Sequence, residues 1–99
     1  MHYVYILYSK KLDRYYTGQT IDVSTRLDKH NGEYYDGKWS SKGKPWTLYL
    51  SIECKDKRQA LDIEAHIKRM KSRKYIENLE KYPSIIEKLK IKYPGAGWS

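Results

Sequence analysis

Tyr3-Val4-Tyr5-Ile6-Leu7-Tyr8, then Arg14-Tyr15-Tyr16-Thr17-Gly18-Gln19-Thr20, then a run from Val23 to His30 form the stretch around which this chain is organised. The first segment is rich in aromatic and β-branched residues and reads as a strand. Tyr3, Tyr5 and Leu7 share one face; Val4, Ile6 and Tyr8 share the other. Ser9 to Asp13 is a polar, lysine-rich turn, so the second segment reads as the partner strand of a hairpin. With a four-residue turn, Ser9 to Leu12, Tyr5 falls opposite Tyr16, although sequence alone does not fix that register. Gly18 inside a strand marks a bulge or a place where another group approaches the backbone. Asp22 is a good N-cap, and Asn31-Gly32 a favoured helix stop. Val23, Leu27 and His30 lie along the helix as a stripe, with Arg26 flanking it one turn before His30.

From Asn31 to Pro45 no period is sustained, and a long loop of this kind in a small domain is functional or mobile. It carries Trp39 and Lys42, which could serve a base and a phosphate; Trp39 could equally pin the loop to the body. Trp46 to Glu53 alternates: Trp46, Leu48, Leu50 and Ile52 point one way, Thr47, Tyr49 and Ser51 the other, as in a half-buried third strand. Asp56 with Gln59 forms a capping box for the next helix. Its apolar arc is Ala60, Ile63, Ile67 and Met70, with Glu64 on the border and Lys68 and Lys71 on the same side. Tyr75, Ile76 and Leu79 suggest a further short helix ending before Pro83. Ile85, Ile86, Leu89 and Ile91 give a last amphipathic turn or two. Residues 1–82 are read as one domain and 83–99 as its helical extension and tail.

Ninety-nine residues suffice for one domain with a modest core. With 11 Tyr, 3 Trp and no Phe, aromatic bulk comes from residues that also carry a polar handle, which suits a half-wet surface as well as a core. The net charge of +8 predicts attraction to a polyanion, nucleic acid or an anionic membrane. The longest apolar run, Tyr3 to Tyr8, is far too short to span a bilayer and lacks a signal-peptide pattern. A lone cysteine, Cys54, excludes an intramolecular disulfide and a cysteine-based zinc site, and is expected half-buried near a strand end. Nucleic acid in a cytoplasmic setting is therefore the expected partner. The segment from Lys68 to Lys74 has basic residues and no acid, so Lys68, Lys71, Arg73 and Lys74 are expected to contact a phosphate backbone. Such contacts give affinity without sequence information.

Several familiar site types are absent. No glycine-rich phosphate loop precedes Lys-Ser/Thr, no histidines pair at ligand spacing, and no Asp-x-Asp cluster suggests a two-metal centre. No serine sits in a nucleophile elbow. Tyr5, Tyr16, Arg26, His30 and Glu64 remain as the chemistry-bearing set. Each alone has an ordinary explanation: strand packing for the tyrosines, a satisfied helix histidine, an i,i+4 ion pair for Glu64 with Lys68.

Together these residues resemble the GIY-YIG nuclease superfamily, in particular its small single-domain bacterial members. The likeness rests on Tyr3-Val4-Tyr5, Tyr16-Thr17-Gly18, Arg26, His30 and a later helix with Glu64. The steps of eleven residues from Tyr5 to Tyr16 and ten from Tyr16 to Arg26 fit the family spacing. The lead-in Gly43-Lys44-Pro45-Trp46 and the run from Ile67 to Glu77 add to it. Tyr3 stands where the family name has Gly and Thr17 where it has Ile, positions that carry no reacting group. Gln19 replaces a Lys found in some members, which puts full activity in question.

The resemblance implies an α/β fold, a small, mainly antiparallel three-stranded sheet flanked by helices. It also implies a metal-dependent endonuclease that hydrolyses phosphodiester bonds, with DNA the expected substrate. Glu64 would hold one hard divalent ion, Mg²⁺ or Mn²⁺, with waters and phosphate oxygens completing its shell. Arg26 would grip the phosphate. Tyr5 and Tyr16 would position the attacking water and take its proton, with Tyr5 slightly favoured as the base. A free phenol titrates near ~10, so Arg26, a lysine or the metal must lower it. His30 would bind phosphate or relay a proton, Gly18 would admit a close neighbour, and Asn78 would add a supporting polar contact. The competing reading is a weakly active or inactive nucleic-acid-binding module on the same scaffold. Oligomeric state stays open.

Overall fold

The computed structural model describes residues 1–32 and 38–96, apart from the side chain of Trp39. Its elements follow the order β1 (His2–Ser9), β2 (Arg14–Thr20), α1 (Val23–Asn31), a 3-10 helix (Trp39–Gly43), β3 (Trp46–Cys54), α2 (Lys57–Met70), α3 (Arg73–Lys81) and α4 (Pro83–Lys92). The three strands form one antiparallel sheet in the order β2-β1-β3. The expected α/β architecture is present.

β1 is the central strand and is buried on both faces. Its even residues Val4 and Ile6 join Ile52, Cys54, Ala60, Ile63, Ile67, Leu79 and Leu89 in the larger core. Its odd residues Tyr5 and Leu7 pack with Trp46, Tyr16, Val23 and Leu27 in a smaller one. Thus α1 covers one face of the sheet, while α2, α3 and α4 cover the other. Asp22 caps α1 through its carboxylate on the Thr25 amide, as Asp56 caps α2 on the Gln59 amide and Ser72 caps α3 on the Tyr75 amide.

The hairpin register differs from the expected one. Tyr5 pairs with Gly18 and Tyr16 with Leu7, so the turn is Lys10 to Asp13 rather than Ser9 to Leu12. Ser9 stays in the sheet because its buried hydroxyl is claimed twice, donating to the Gly43 carbonyl at 2.7 Å and accepting from the Leu12 amide at 3.0 Å. Asp13 then closes the turn in the left-handed region at φ 53°, which Asp tolerates better than most residues. The slip is by two residues, so every side chain keeps its face.

The alternation of β3 is also broken. Leu7 pairs with Leu48 but Ile6 with Leu50, an irregularity that inserts Tyr49 as an extra residue. Trp46 and Leu48 therefore share the face of Tyr5, and Leu50 and Ile52 the face of Val4. Smaller departures follow from exposure: Met70 (45%) and Ile91 (80%) face solvent, and Cys54 is fully buried rather than half-buried.

The segment from Pro83 onward is fastened to the rest. Leu89 lies in the larger core. Gln59, itself 5% exposed, donates from Nε2 to the carbonyls of Lys90 at 3.3 Å and Tyr93 at 3.0 Å, and accepts from the Lys55 amide at 3.0 Å. The His66 ring lies between the hydroxyls of Tyr93 at 2.9 Å and Tyr75 at 3.1 Å. Gln59→Ala removes the partner of three part-buried backbone groups and is expected to cost about 1–3 kcal/mol. Hydrogen exchange should accelerate across Pro83–Lys92 while β1 keeps its protection; uniform loss across the chain would contradict this.

Candidate active site

Two strands and one helix bring Tyr5, Tyr16 and His30 into one cluster. Tyr5 and Tyr16 leave β1 and β2 on the same face because they are diagonal neighbours in the observed register. Their ring centres are 6.3 Å apart and stacked. His30, near the C-terminal end of α1, meets Tyr16 edge-on at 4.5 Å. Its Nε2 lies 3.2 Å from the Tyr5 hydroxyl, within hydrogen-bond distance. Tyr5 needs room to lie across β2, and Gly18 supplies it: a Cβ there would fall 2.5 Å from the Tyr5 hydroxyl oxygen. Gly18 is thus required by a close approach.

Behind this cluster stands Trp46, 1% exposed, with ring centres 6.2 Å from Tyr16 and 6.5 Å from His30. One amide side chain holds its backbone at both ends. Asn31 donates to the Trp46 carbonyl at 2.9 Å and accepts from its amide at 2.5 Å. The indole donates to the Ser40 carbonyl at 2.7 Å. Sequence reasoning treated Asn31 as a helix stop and Trp46 as a strand residue, and missed both as supports of the site. Nothing in the spacing signals the β-bulge that turns Trp46 to this face.

His30 is 1% exposed. Burial, followed by the positive charge of Arg26 one turn away, lowers its pKa from 6.5 to about 4. The ring is therefore neutral at physiological pH and suits a role in orienting a neighbour, not in gripping an anion by charge. Tyr5 is also 1% exposed. Tyr16 is half-buried and opens onto an irregular hollow of about 1150 Å³ beside the edge strand β2.

The hollow is lined by Tyr16, Lys42, Ile67, Lys68, Lys71 and Arg73, among others, and also by Arg14, with Asp13 its one acid among the described residues. Four of the expected backbone-contacting residues, Lys42, Lys68, Lys71 and Arg73, thus meet in one place. Lys74 does not line it. Arg73 is already bound, its guanidinium 2.7 Å from the Asp13 carboxylate. Trp39, expected against a base, has its side chain outside the described residues. Asn78 sits half-buried on α3, where its backbone carbonyl accepts from the Tyr82 amide at the helix end. Gln19 is opposite Val4, on the α2 side, and its Oε1 is buried without a hydrogen-bond partner among the described residues.

Glu64 comes from the other layer. It lies on α2, and its carboxylate, 16% exposed, is 3.1 Å from Lys68 Nζ. Glu64 does not itself line the hollow; Lys68, its partner, does. Among the described residues no three of His, Cys, Asp and Glu converge. A closed all-protein cage is therefore not offered there. One partly exposed carboxylate does fit an ion such as Mg²⁺, which keeps several waters and takes one or two carboxylates plus substrate phosphate.

Two outcomes follow from this geometry. In the unfolded chain His30 binds its proton more readily than in the fold, so its contribution is complete above pH 6.5 and lost as pH falls toward about 4. The loss is on the order of 3 kcal/mol. Urea unfolding across that range should show it, and His30→Gln should flatten the acid slope; an unchanged slope would refute the assignment. Gly18→Ala should push the Tyr5 ring from its seat, costing about 1–3 kcal/mol, read as a lower melting temperature with shifted Tyr5 and His30 ring resonances.

Among the described residues no helix is long and apolar enough to cross a membrane. The family described as the GIY-YIG catalytic domain matches residues 1–78, which take in all five chemistry-bearing residues. Two relatives are similar over 56 residues at 44% identity: the structure-specific endonuclease subunit SLX1 homolog 1 and homolog 2 of Trypanosoma cruzi (strain CL Brener). Each match covers 52% of this chain and only 11% of the relative. No solved structure matches. With its paired phenols, histidine and later glutamate all inside the matched segment, the chain belongs to the GIY-YIG catalytic-domain family of nucleases.

Proposed function

We propose that this chain is a divalent-metal-dependent endonuclease that hydrolyses phosphodiester bonds in DNA, with Tyr5, Tyr16, Arg26, His30 and Glu64 as its reaction centre. The observation that carries the reading is a juxtaposition. Tyr16, in ring contact with Tyr5 and His30, opens onto a hollow lined, among the described residues, by five cationic side chains and one acid.

Such a hollow draws in a phosphate backbone, and its cations hold it without reading sequence. Lys42, Lys68 and Lys71 are the contacts inside it, and Lys74 extends the surface. Arg26 offers a planar fork to the scissile phosphate, where it stabilises the charge that develops in the transition state. Tyr16, which lines the hollow, positions the attacking water and, as the phenolate left once its own proton has passed to solvent, accepts the proton that the water gives up. Tyr5 is buried and bonded to a neutral His30, so this pair fixes the site's shape. His30 is thereby assigned to orienting Tyr5 and relaying a proton through it, not to charge-based phosphate binding. Glu64 would hold Mg²⁺ or Mn²⁺, and Lys68, its present partner, is free to turn to phosphate when that happens. When bound, the ion neutralises charge on the phosphate and on the leaving oxygen.

The relatives are named structure-specific endonuclease subunits. We extend that preference to this chain, as action on DNA whose strands branch or separate.

The deciding experiment is cleavage of duplex, single-stranded and branched DNA with Mg²⁺ or Mn²⁺ by the wild type and Glu64→Ala. Cleavage should fall about 100-fold or more in the variant. DNA affinity should hold or rise slightly, because a carboxylate leaves a cationic surface. A wild type that binds every substrate and cuts none with either ion would establish the binding-module reading instead.

A further inference from the structure

Asp13, at the hairpin tip, is held by two side chains at once. Arg73 donates from Nη2 to Oδ1 at 2.7 Å, and from Nη1 to Oδ2 at 3.3 Å and to the Asp13 carbonyl at 3.2 Å. The Tyr8 hydroxyl donates to Oδ1 at 2.6 Å. The guanidinium also lies 5.3 Å from the centre of the Tyr15 ring, and its Nε pairs with Glu77 at 3.6 Å. Both terminal nitrogens and a face of Arg73 are thus engaged. The Arg73 bonds hold the Asp13 carboxyl below its ordinary range more than the Tyr8 bond does.

The pair joins residues 60 apart in the chain, closing the tip of the β1–β2 hairpin onto the first turn of α3. Both partners line the hollow that Tyr16 shares with Lys42, Lys68 and Lys71. A carboxylate in the wall of a polyanion groove opposes binding by Coulomb's law. An exposed ion pair also adds little net stability, because water and salt screen it. Its consequence is therefore geometric.

We propose that Asp13–Arg73 is a strut that sets the width of the hollow. It holds Tyr16 on the hairpin at a fixed distance from Lys68 on α2 and Lys71 at the end of that helix, so that all of them meet one phosphate backbone. Arg73 is then a positioning residue and not a phosphate ligand, which revises the expectation from sequence. The strut rests on the nuclease reading above.

Asp13→Asn gives a test by sign. Asn tolerates the left-handed backbone and still accepts from Tyr8, but it breaks the two-pronged bond and removes a negative charge from the groove. Electrostatics alone predicts tighter DNA binding; the strut predicts weaker. The expected result is a dissociation constant and KM raised roughly two- to ten-fold, with kcat at saturating DNA held, measured well below the melting temperature.

Arg73→Gln should weaken binding to a similar degree and leave the slope of log K against log salt unchanged. A lost phosphate ligand would instead reduce that slope by about one. The double variant should be no worse than Arg73→Gln. Binding by Asp13→Asn as tight as wild type, or a slope lowered by Arg73→Gln, overturns the strut while cleavage by the wild type leaves the nuclease standing. If Asp13→Asn does not fold, the Arg73→Gln slope decides alone. A wild type with no salt-dependent DNA binding sinks the nuclease reading and the strut with it.

Discussion

Burial of β1 on both faces is the constraint from which the rest of the molecule follows. A strand of eight residues flanked by two antiparallel partners must place alternate side chains in separate layers. Val4 and Ile6 seed the larger core, which takes in residues as distant as Leu79 and Leu89. Tyr5 and Leu7 seed the smaller one, where the larger side chains Tyr16 and Trp46 carry polar handles. The even face supplies most of the apolar burial, and the odd face holds the aromatic cluster of Tyr5, Tyr16, His30 and Trp46. A buried phenol on the second face needs a hydrogen-bond partner, and His30 answers that need from α1.

Division into layers also explains the character of the site. His30 is kept neutral by the burial that stabilises the smaller core and by Arg26 beside it. Arg26 lies one turn before His30 on α1, and its positive charge acts on the buried imidazole. The cations from Lys42 to Arg73 belong to elements separated in sequence, and the edge of β2 gathers them. Among the described residues that edge carries no neighbouring strand. Lys68 pairs with Glu64 one turn earlier on α2 and lines the hollow together with Tyr16.

Positions that carry no reacting group are nevertheless fixed by the site. Gly18 leaves room for the Tyr5 ring, and Gly43 for that of Trp46, since a Cβ at Gly43 would fall 2.5 Å from the indole. Asn31 ends α1 and also clamps the backbone of Trp46 on both sides. The result is a shell in which the rotamers of Tyr16 and His30 are set by packing against a tryptophan that is itself hydrogen-bonded.

Sequence by itself determined the main elements and the family to which the chain belongs. Alternation marked β1, Asp22 and Asp56 marked two helix starts, and the spacing of Tyr5, Tyr16 and Arg26 carried the family resemblance. These are local or periodic signals, set by φ/ψ preference, capping chemistry and the two periods of side-chain direction. Tertiary structure alone decided the hairpin register, because the long-range bond from Ser9 to the Gly43 carbonyl holds Ser9 in the sheet. It alone decided that Trp46 faces the phenols, since one inserted residue in β3 reverses a face without a mark in the pattern. It also decided that Arg73 is bound by Asp13, a pairing between residues 60 apart. Such contacts depend on where distant segments meet in space, and no window along the chain contains both partners.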